Sequence, residues 1–336
     1  MSKIFIDKVE NNFSETLRRG FEFIDWGKYI NKGSRVFIKP NFTYPYYKKG
    51  VTTNPETIRN VLKLIKQKTD NIKLGESDGG NNIFKAEHAF EGHNMYQICK
   101  EFGVELINLS NLPSEMVKGE ILGREVEVLL PRLLLEDVDC FISISLFKVH
   151  AMTTLSLSIK NLWGCFPDAG RRVLWHQNHG HKFSLIAKVL KPKIVVIDGT
   201  TALDGHGPMF GKPINFGLIL VSDNTVAADK IASQIMGFSP AKIDHIAVAE
   251  RAGLDPSDDI EINKDWKQYR RQFYLKKTII DRFTRLLTFN NPTTAKLIYN
   301  SAFTPMIYKV VNILRTRQEH AVVADTSKKY KGVKNY

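Results

Sequence analysis

The chain has 336 residues, 43% of them hydrophobic and 25% charged, the balance of a globular protein with room for one large or two ordinary domains. Its net charge of +13 is unevenly placed: residues 264–336 carry 16 Lys and Arg against 4 Asp and Glu, while residues 1–263 carry 32 against 31. No apolar run approaches the roughly 18 residues of a membrane span, and three scattered cysteines (Cys99, Cys140, Cys165) exclude a self-contained four-cysteine iron–sulfur or zinc site.

In chain order, short runs rich in Val, Ile and Phe predict strands at 3–9, 35–42, 71–77, 104–109, 140–147, 193–198 and 215–222. They are apolar throughout, as strands covered on both faces are. Residues 116–130, MVKGEILGREVEVLL, alternate around Gly123 and predict a hairpin. Between these runs, apolar spacings of three and four predict helices over 14–26, 55–67, 84–102, 183–190, 224–237 and 242–253. Asn54 and Pro55 mark one helix start, and Gly237 and Gly253 mark two helix ends. Alternating strands and helices imply an α/β fold with a mostly parallel sheet and helices on both faces. A helix is also expected over 153–164, beginning at the hydroxyls of Thr153 and Thr154.

Residues 264–318 differ. In WKQYRRQFYLKKTIIDRFTRLLTF, aromatic and aliphatic side chains interleave with Lys and Arg at helical spacing, and Pro305 interrupts the run that follows. The chain therefore divides into an α/β body, 1–263, and a basic, amphipathic helical extension, 264–336, polar and loose from Thr316. Three readings of the extension stand: a helical lid on the body, an interfacial helix pair on an anionic membrane, and a nucleic-acid surface. The second would use Trp266, Phe273, Tyr274, Leu275, Ile279, Ile280 and Phe283. The third has no recognised nucleic-acid motif beside it and is disfavoured. The N-terminus, MSKIFIDKVE, lacks a signal-peptide core, and the cysteines suit reducing surroundings. Both predict a cytoplasmic protein, with the extension allowing peripheral placement on a membrane.

Ligands of open α/β sheets bind beyond the carboxyl ends of the strands. Those ends are polar here: RVFIKPN carries Lys39 and Asn41, GESDGG carries Glu76, CFISISLFKVH carries Lys148 and His150, and KIVVIDGT carries Asp198 ahead of GHGP at 205–208. Four such ends predict one cleft. Lys160 beside the predicted helix start at Thr154 suits phosphate or carboxylate. His176, His179 and His181, with Asp168 or Glu76, raise the alternative of a divalent metal, while His176 near Arg171 suits a general acid or base. Glu76, His176 and Asp198 are the metal candidates. Asp229, inside an Ala-rich helical face, requires a buried partner such as a lysine. No G-x-G-x-x-G, Walker A or G-x-S-x-G pattern occurs, which disfavours dinucleotide oxidoreductases, P-loop NTPases and standard α/β-hydrolases.

Seven blocks in fixed order, IKPN with TTNPE, GESDGG, FKVHAMTTLSLSIKNLWGC, RRVLWH, VIDGTTALDGHGPMFGKP and NTVAADKIASQIMGF, resemble the domain-of-unknown-function family 362 over residues 33–254. The resemblance implies a shared pocket lined by Lys39, Asn41, Thr52, Thr53, Glu76, Lys148, His150, Thr154, Lys160, Asn161, Arg171, His176, Asp198, Gly207 and Asp229. Members of that family often carry a ferredoxin-type domain; this chain has none, so a cluster would have to come from a partner protein. The block order also resembles, at the level of fold, the two-lobed nickel-pincer lactate racemases.

The leading expectation is an enzyme acting on a small anion. Lys39, Lys148, Lys160 and Arg171 would bind the anion, His150 or His176 would move protons, and Glu76 or Asp198 would orient them or hold a metal. The alternative is a non-catalytic protein that handles a cofactor, metal or cluster at a membrane surface.

Overall fold

The computed structural model describes residues 1–9, 12–80, 84–168, 170, 175–255 and 259–278, together with Asp281, Leu286, Thr293, Thr294 and Met306. Arg171 and most of the predicted helical extension lie outside the described residues.

The elements run β1 (Ser2–Lys8), α1 (Phe13–Phe23), β2 (Val36–Lys39), α2 (Pro55–Ile65), β3 (Ile72–Glu76), α3 (Ala86–Gly92), α4 (Met95–Phe102), β4 (Glu105–Asn108), β5 (Ser114–Ile121) and β6 (Arg124–Pro131). They continue with α5 (Arg132–Glu136), β7 (Cys140–His150), β8 (Thr154–Leu155), α6 (Ser158–Asn161), α7 (His179–Leu190), β9 (Ile194–Asp204), β10 (Lys212–Ser222), α8 (Thr225–Ile235), α9 (Asp244–Arg251) and β11 (Ile260–Ile262). The main sheet has the order β11–β1–β10–β9–β7–β2–β3–β4, with β8 added beside β7. From β9 through β7, β2 and β3 to β4 every neighbour is parallel. The antiparallel members are β10, joined to β9 by a hairpin and to β1 on its other side, and the short β8 beside β7. The fold is therefore α/β with a mostly parallel central sheet, as the strand and helix alternation predicts.

The pleat sorts the strand residues between two cores. Val36 and Ile38 join Leu17, Phe21, Ile58, Leu62 and Ile98 of α1, α2 and α4 on one face. Phe37 turns to the other, with Phe183, Ile186, Val226 and Ile231 of α7 and α8 and Val128 of the β5–β6 hairpin. Asn54 caps α2 by accepting from the Glu56 N–H, and Asn224 caps α8 by accepting from Val226 and Ala227; such caps contribute about 1 kcal/mol each. The hairpin turns through Leu122 and Gly123, both at positive φ, the geometry of a tight two-residue turn.

Two helix expectations change. The predicted 84–102 helix is two helices, because Asn94 adopts φ +57 between them. The predicted 153–164 helix starts only at Ser158: Thr154 sits at φ +69 and folds back to pair with His150 on β7.

The first part of the basic extension is not a helix. After a single 3-10 turn at Trp266–Tyr269, the backbone to residue 278 is irregular apart from a bridge between Leu275 and Gly205. The Arg271 N–H donates to the Ile235 carbonyl at 2.8 Å and the Phe273 N–H to Met236 at 3.0 Å. Phe273 is buried, its ring 5.4 Å from that of Phe216. The body takes up both its backbone donor and its side chain, which removes it from the apolar face expected for a membrane helix.

Candidate functional site at the strand ends

Because β9, β7, β2 and β3 are adjacent and parallel, their polar carboxyl ends meet. Lys39 ends β2, and its Nζ donates to Glu76 Oε2 at 2.6 Å and to the Pro40 carbonyl at 2.7 Å. The Phe42 N–H also reaches Glu76 Oε2, while the Ser77 N–H binds Glu76 Oε1 at 3.0 Å. The ion pair is almost wholly buried, with side chains 1% and 6% exposed. Burial of such a pair is tolerated when further hydrogen bonds support it, as the Pro40 carbonyl does for Lys39 and the Phe42 and Ser77 N–H groups do for Glu76.

Asn41, two residues on, joins the next strand. Its Oδ1 accepts from Lys148 Nζ at 2.8 Å, and Lys148 also donates to the Val51 carbonyl at 2.9 Å. Asn41 Nδ2 donates to Asn161 Oδ1, and the Asn41 N–H to Thr53 Oγ1, whose own hydroxyl donates to the Ile144 carbonyl. Asn161 fastens both strand ends, its Nδ2 reaching the Lys39 carbonyl at 3.2 Å and Ser143 Oγ at 3.1 Å.

Asp198 lies at a register shift where β9 parts from β7, and Gly199 follows it. Its carboxylate accepts from Thr57 Oγ1 at 2.5 Å and from the Thr200 hydroxyl and N–H at 2.7 and 2.8 Å. Burial raises its pKa above the ordinary value, and these three donors offset that only in part. Burial also raises the pKa of Tyr47, and the charge of Asp198 adds to the effect, which places the phenol near this carboxylate.

Asp229 supports the layer from behind. Its Oδ1 accepts from the Ser158 N–H at 2.8 Å and hydroxyl at 2.5 Å, and its Oδ2 from the Ile159 N–H at 2.9 Å. The partner of this buried carboxylate is therefore the first turn of α6 rather than a lysine. Thr153 and Thr154 do not start that helix. α6 then delivers Asn161 to the strand ends, so Asp229 positions the polar layer without joining it. Burial pushes the Asp229 carboxyl up to about 7.

The other predicted residues make contacts of their own. Thr52 accepts from the Lys48 N–H in the turn above Lys148. Gly207 packs so close to the Val149 carbonyl that a Cβ there would lie 1.8 Å away. His150 Nδ1 accepts from the Met152 N–H. Lys160 lies over the Phe183 ring at 5.3 Å, and His176 packs on Trp163 with ring centres 5.5 Å apart. Both sit against the aromatic rings of Trp163 and Phe183.

Among the described residues no three His, Cys, Asp or Glu side chains form a metal-holding group. Glu76 commits its oxygens to Lys39, Phe42 and Ser77, Asp198 commits its own to threonines, and His176 sits on Trp163. The three candidates do not fit a shared divalent ion.

Several members of the layer were not anticipated. Thr57 reads in the sequence as the first turn of a helix. Gly164 reads as a helix residue, yet its Cβ would stand 2.6 Å from Glu76 Oε1 and 2.7 Å from Lys39 Nζ. Only the glycine, in an otherwise bulky LWGCF run, offered a signal.

A family model described as a domain of unknown function, DUF362, matches residues 36–234, more than half of the chain. The thylakoid-associated protein sll1697 of Synechocystis sp. is 28% identical over 243 residues, covering 69% of this chain and 72% of that protein. Among solved structures, the lactate racemase apoprotein from Thermoanaerobacterium thermosaccharolyticum is similar with a TM-score of 0.44 and 12% identity over 61% of this chain. A Thermotoga maritima protein is similar with a TM-score of 0.33 and 13% identity over 57% of this chain. The alignments cover about half of each of those two structures, 50% and 51%. Both likenesses are too distant to assign chemistry.

Proposed function

This chain belongs to the DUF362 family, and from the buried charge at its strand ends we propose that it binds a small ligand bearing phosphate or carboxylate. The observation that carries the reading is the meeting of Lys39–Glu76, Asn41–Lys148 and Thr57–Asp198 at the carboxyl ends of four adjacent strands. Three sets of ionisable side chains drawn into one buried layer are costly to stability and are characteristic of sites that do chemistry. An arriving anion would replace the Val51 carbonyl beside Lys148 Nζ, exchanging a neutral acceptor for a charged one. Asp198, its pKa raised by burial, is the group suited to give or take a proton, with Thr57 and Thr200 holding its orientation. On this reading the chain is an enzyme in which Lys39 and Glu76 fix the strand ends and Lys148 carries the anion.

The test is a thermal-shift and calorimetric screen with inorganic phosphate and a panel of small phosphate- and carboxylate-bearing compounds. At least one should raise the melting temperature saturably, and Lys148→Met and Asp198→Asn should each weaken the response at least tenfold with unchanged circular dichroism. Saturable binding retained by both folded variants, or no binding by the wild type, would sink the proposal.

A second reading, favoured by a different observation, is action at a membrane surface. It draws on the concentration of 16 basic against 4 acidic residues after position 263 and on the printed name of the thylakoid-associated relative.

A further inference from the structure

We propose that the rim around the carboxyl ends of the strands is a docking surface for an anionic lipid bilayer; this rests on the membrane-surface reading and names the residues that make the contact. The rim is a continuous chain of contacts above the buried layer. It starts at the 44–50 loop, which carries the turn over Lys148 and is held down at both ends. Gly92 lies so close to Pro45 that a Cβ would stand 2.2 Å from its carbonyl, and Gly50 is pressed to within 2.8 Å of the Ala202 carbonyl in the same sense.

On this fixed loop Tyr44 and Tyr46 meet edge to face at 4.7 Å. Lys48 Nζ spans from the Tyr44 ring, 4.7 Å away, to Phe210 in the β9–β10 turn, 5.6 Å away. The basic extension joins at that turn. The Gly205 N–H donates to the Tyr274 carbonyl at 2.9 Å, and the Lys276 N–H returns to Gly205 at 3.0 Å.

Two properties of this rim match a headgroup region. Tyr46 and Tyr274 are 53% and 69% exposed, although each is anchored through its backbone, so large amphipathic rings are held outward on rigid supports. Lys49 and Lys276 are exposed beside them. Two acidic groups of the rim are turned to local use, Asp204 accepting from the Gly205 and Tyr274 N–H groups and Asp281 from Thr278 and His206, while Glu91 beside Gly92 is exposed. In the sequence after Asp281, residues 282–336 hold 10 Lys and Arg against 2 acidic residues. Exposed tyrosine with lysine, in a chain that continues as a polybasic segment, is the chemistry that binds anionic headgroups. The ligand layer then lies directly under the face turned to the bilayer.

The experiment is sedimentation of the full chain with vesicles of phosphatidylcholine, with and without phosphatidylglycerol, across a salt series. The wild type should partition onto the phosphatidylglycerol vesicles and be released by salt. Each lysine at an anionic surface is worth about a fivefold change in partitioning. The exposed double variant Lys49→Glu/Lys276→Glu should therefore lose about 25-fold or more, and Tyr46→Ser/Tyr274→Ser should weaken binding without altering its salt slope. If the wild type ignores both vesicles, the membrane reading and this proposal fall together. If the wild type binds and both double variants bind equally well, the rim is wrong while the membrane reading stands. Retention on duplex DNA in place of vesicles, abolished by the charge reversal, would replace the bilayer with nucleic acid and overturn the proposal.

Discussion

Lys39 and Glu76 form the most deeply buried ion pair described in the chain, and their energetics can be separated by substitution. Removing one partner strands a charge in the core, at about 3–5 kcal/mol. Lys39→Met and Glu76→Gln should each cost about that much in urea unfolding, and the double variant should cost clearly less than their sum. Strict additivity would show that the two groups do not interact. Asp229 gives a residue-scale prediction with a definite sign. Its carboxyl loses its proton near 3.8 when unfolded but only near 7 when folded. Its contribution to stability is therefore fully present below about 3.8 and lost as pH rises to 7. His93 acts oppositely: burial lowers its pKa to about 4, so its contribution is present above 6.5 and lost as pH falls toward 4. Asp229→Asn keeps an acceptor for α6 and removes the opposing slope, so urea midpoints should rise more steeply from pH 4 to 7 than in the wild type. An unchanged profile would contradict the burial of a protonated carboxyl. Lys39, Asn41, Glu76, Lys148 and Asp198 were legible in the sequence, because each interrupts or ends an apolar strand. Asp229 was visible as an anomaly, but its partner was not, since a helix N-terminus leaves no residue type to read.

At the scale of elements, the central strands were the most legible part, since β2, β7 and β9 begin as short runs rich in Val, Ile and Phe, whereas β8 and β11 were not anticipated. The 153–164 segment was misread because the Thr153 and Thr154 hydroxyls suggest a helix cap, whereas the alternation of Leu155, Leu157 and Ile159 is that of a strand and its start is a return strand against β7. The cap signal was given more weight than the period. The 270–278 strap was also obscured: its aromatic spacing suits a helix, yet Phe273 is required in the body. Phe273→Ala should release it. Burial of a phenylalanine is worth about 3 kcal/mol or more, and hydrogen exchange at Arg271, Phe273, Gly205 and Lys276 should accelerate together. Protection unchanged at those four amides would show that the strap is held by its backbone alone. Should the strap detach, the Gly205–Lys276 contacts would go with it, loosening the turn that places Gly207 against Val149.

For the whole molecule, residues 1–263 are nearly neutral and bury Lys39, Glu76, Lys148 and Asp198 at one end of the sheet, while residues 264–336 hold most of the excess positive charge. The α/β class and the meeting of four polar strand ends follow from the alternation of elements together with the strand order. The alternation was readable, whereas the order β9–β7–β2–β3 is set by long-range packing and was not. The account's central claim is that this end of the sheet receives a small anion. The most direct measurement is hydrogen–deuterium exchange of the full chain with and without the anion that most raises its melting temperature. Protection should increase at 39–53, 144–151 and 198–207 and stay unchanged in α1 and the β5–β6 hairpin. Protection confined to the basic extension, or spread evenly over the body, would contradict the claim.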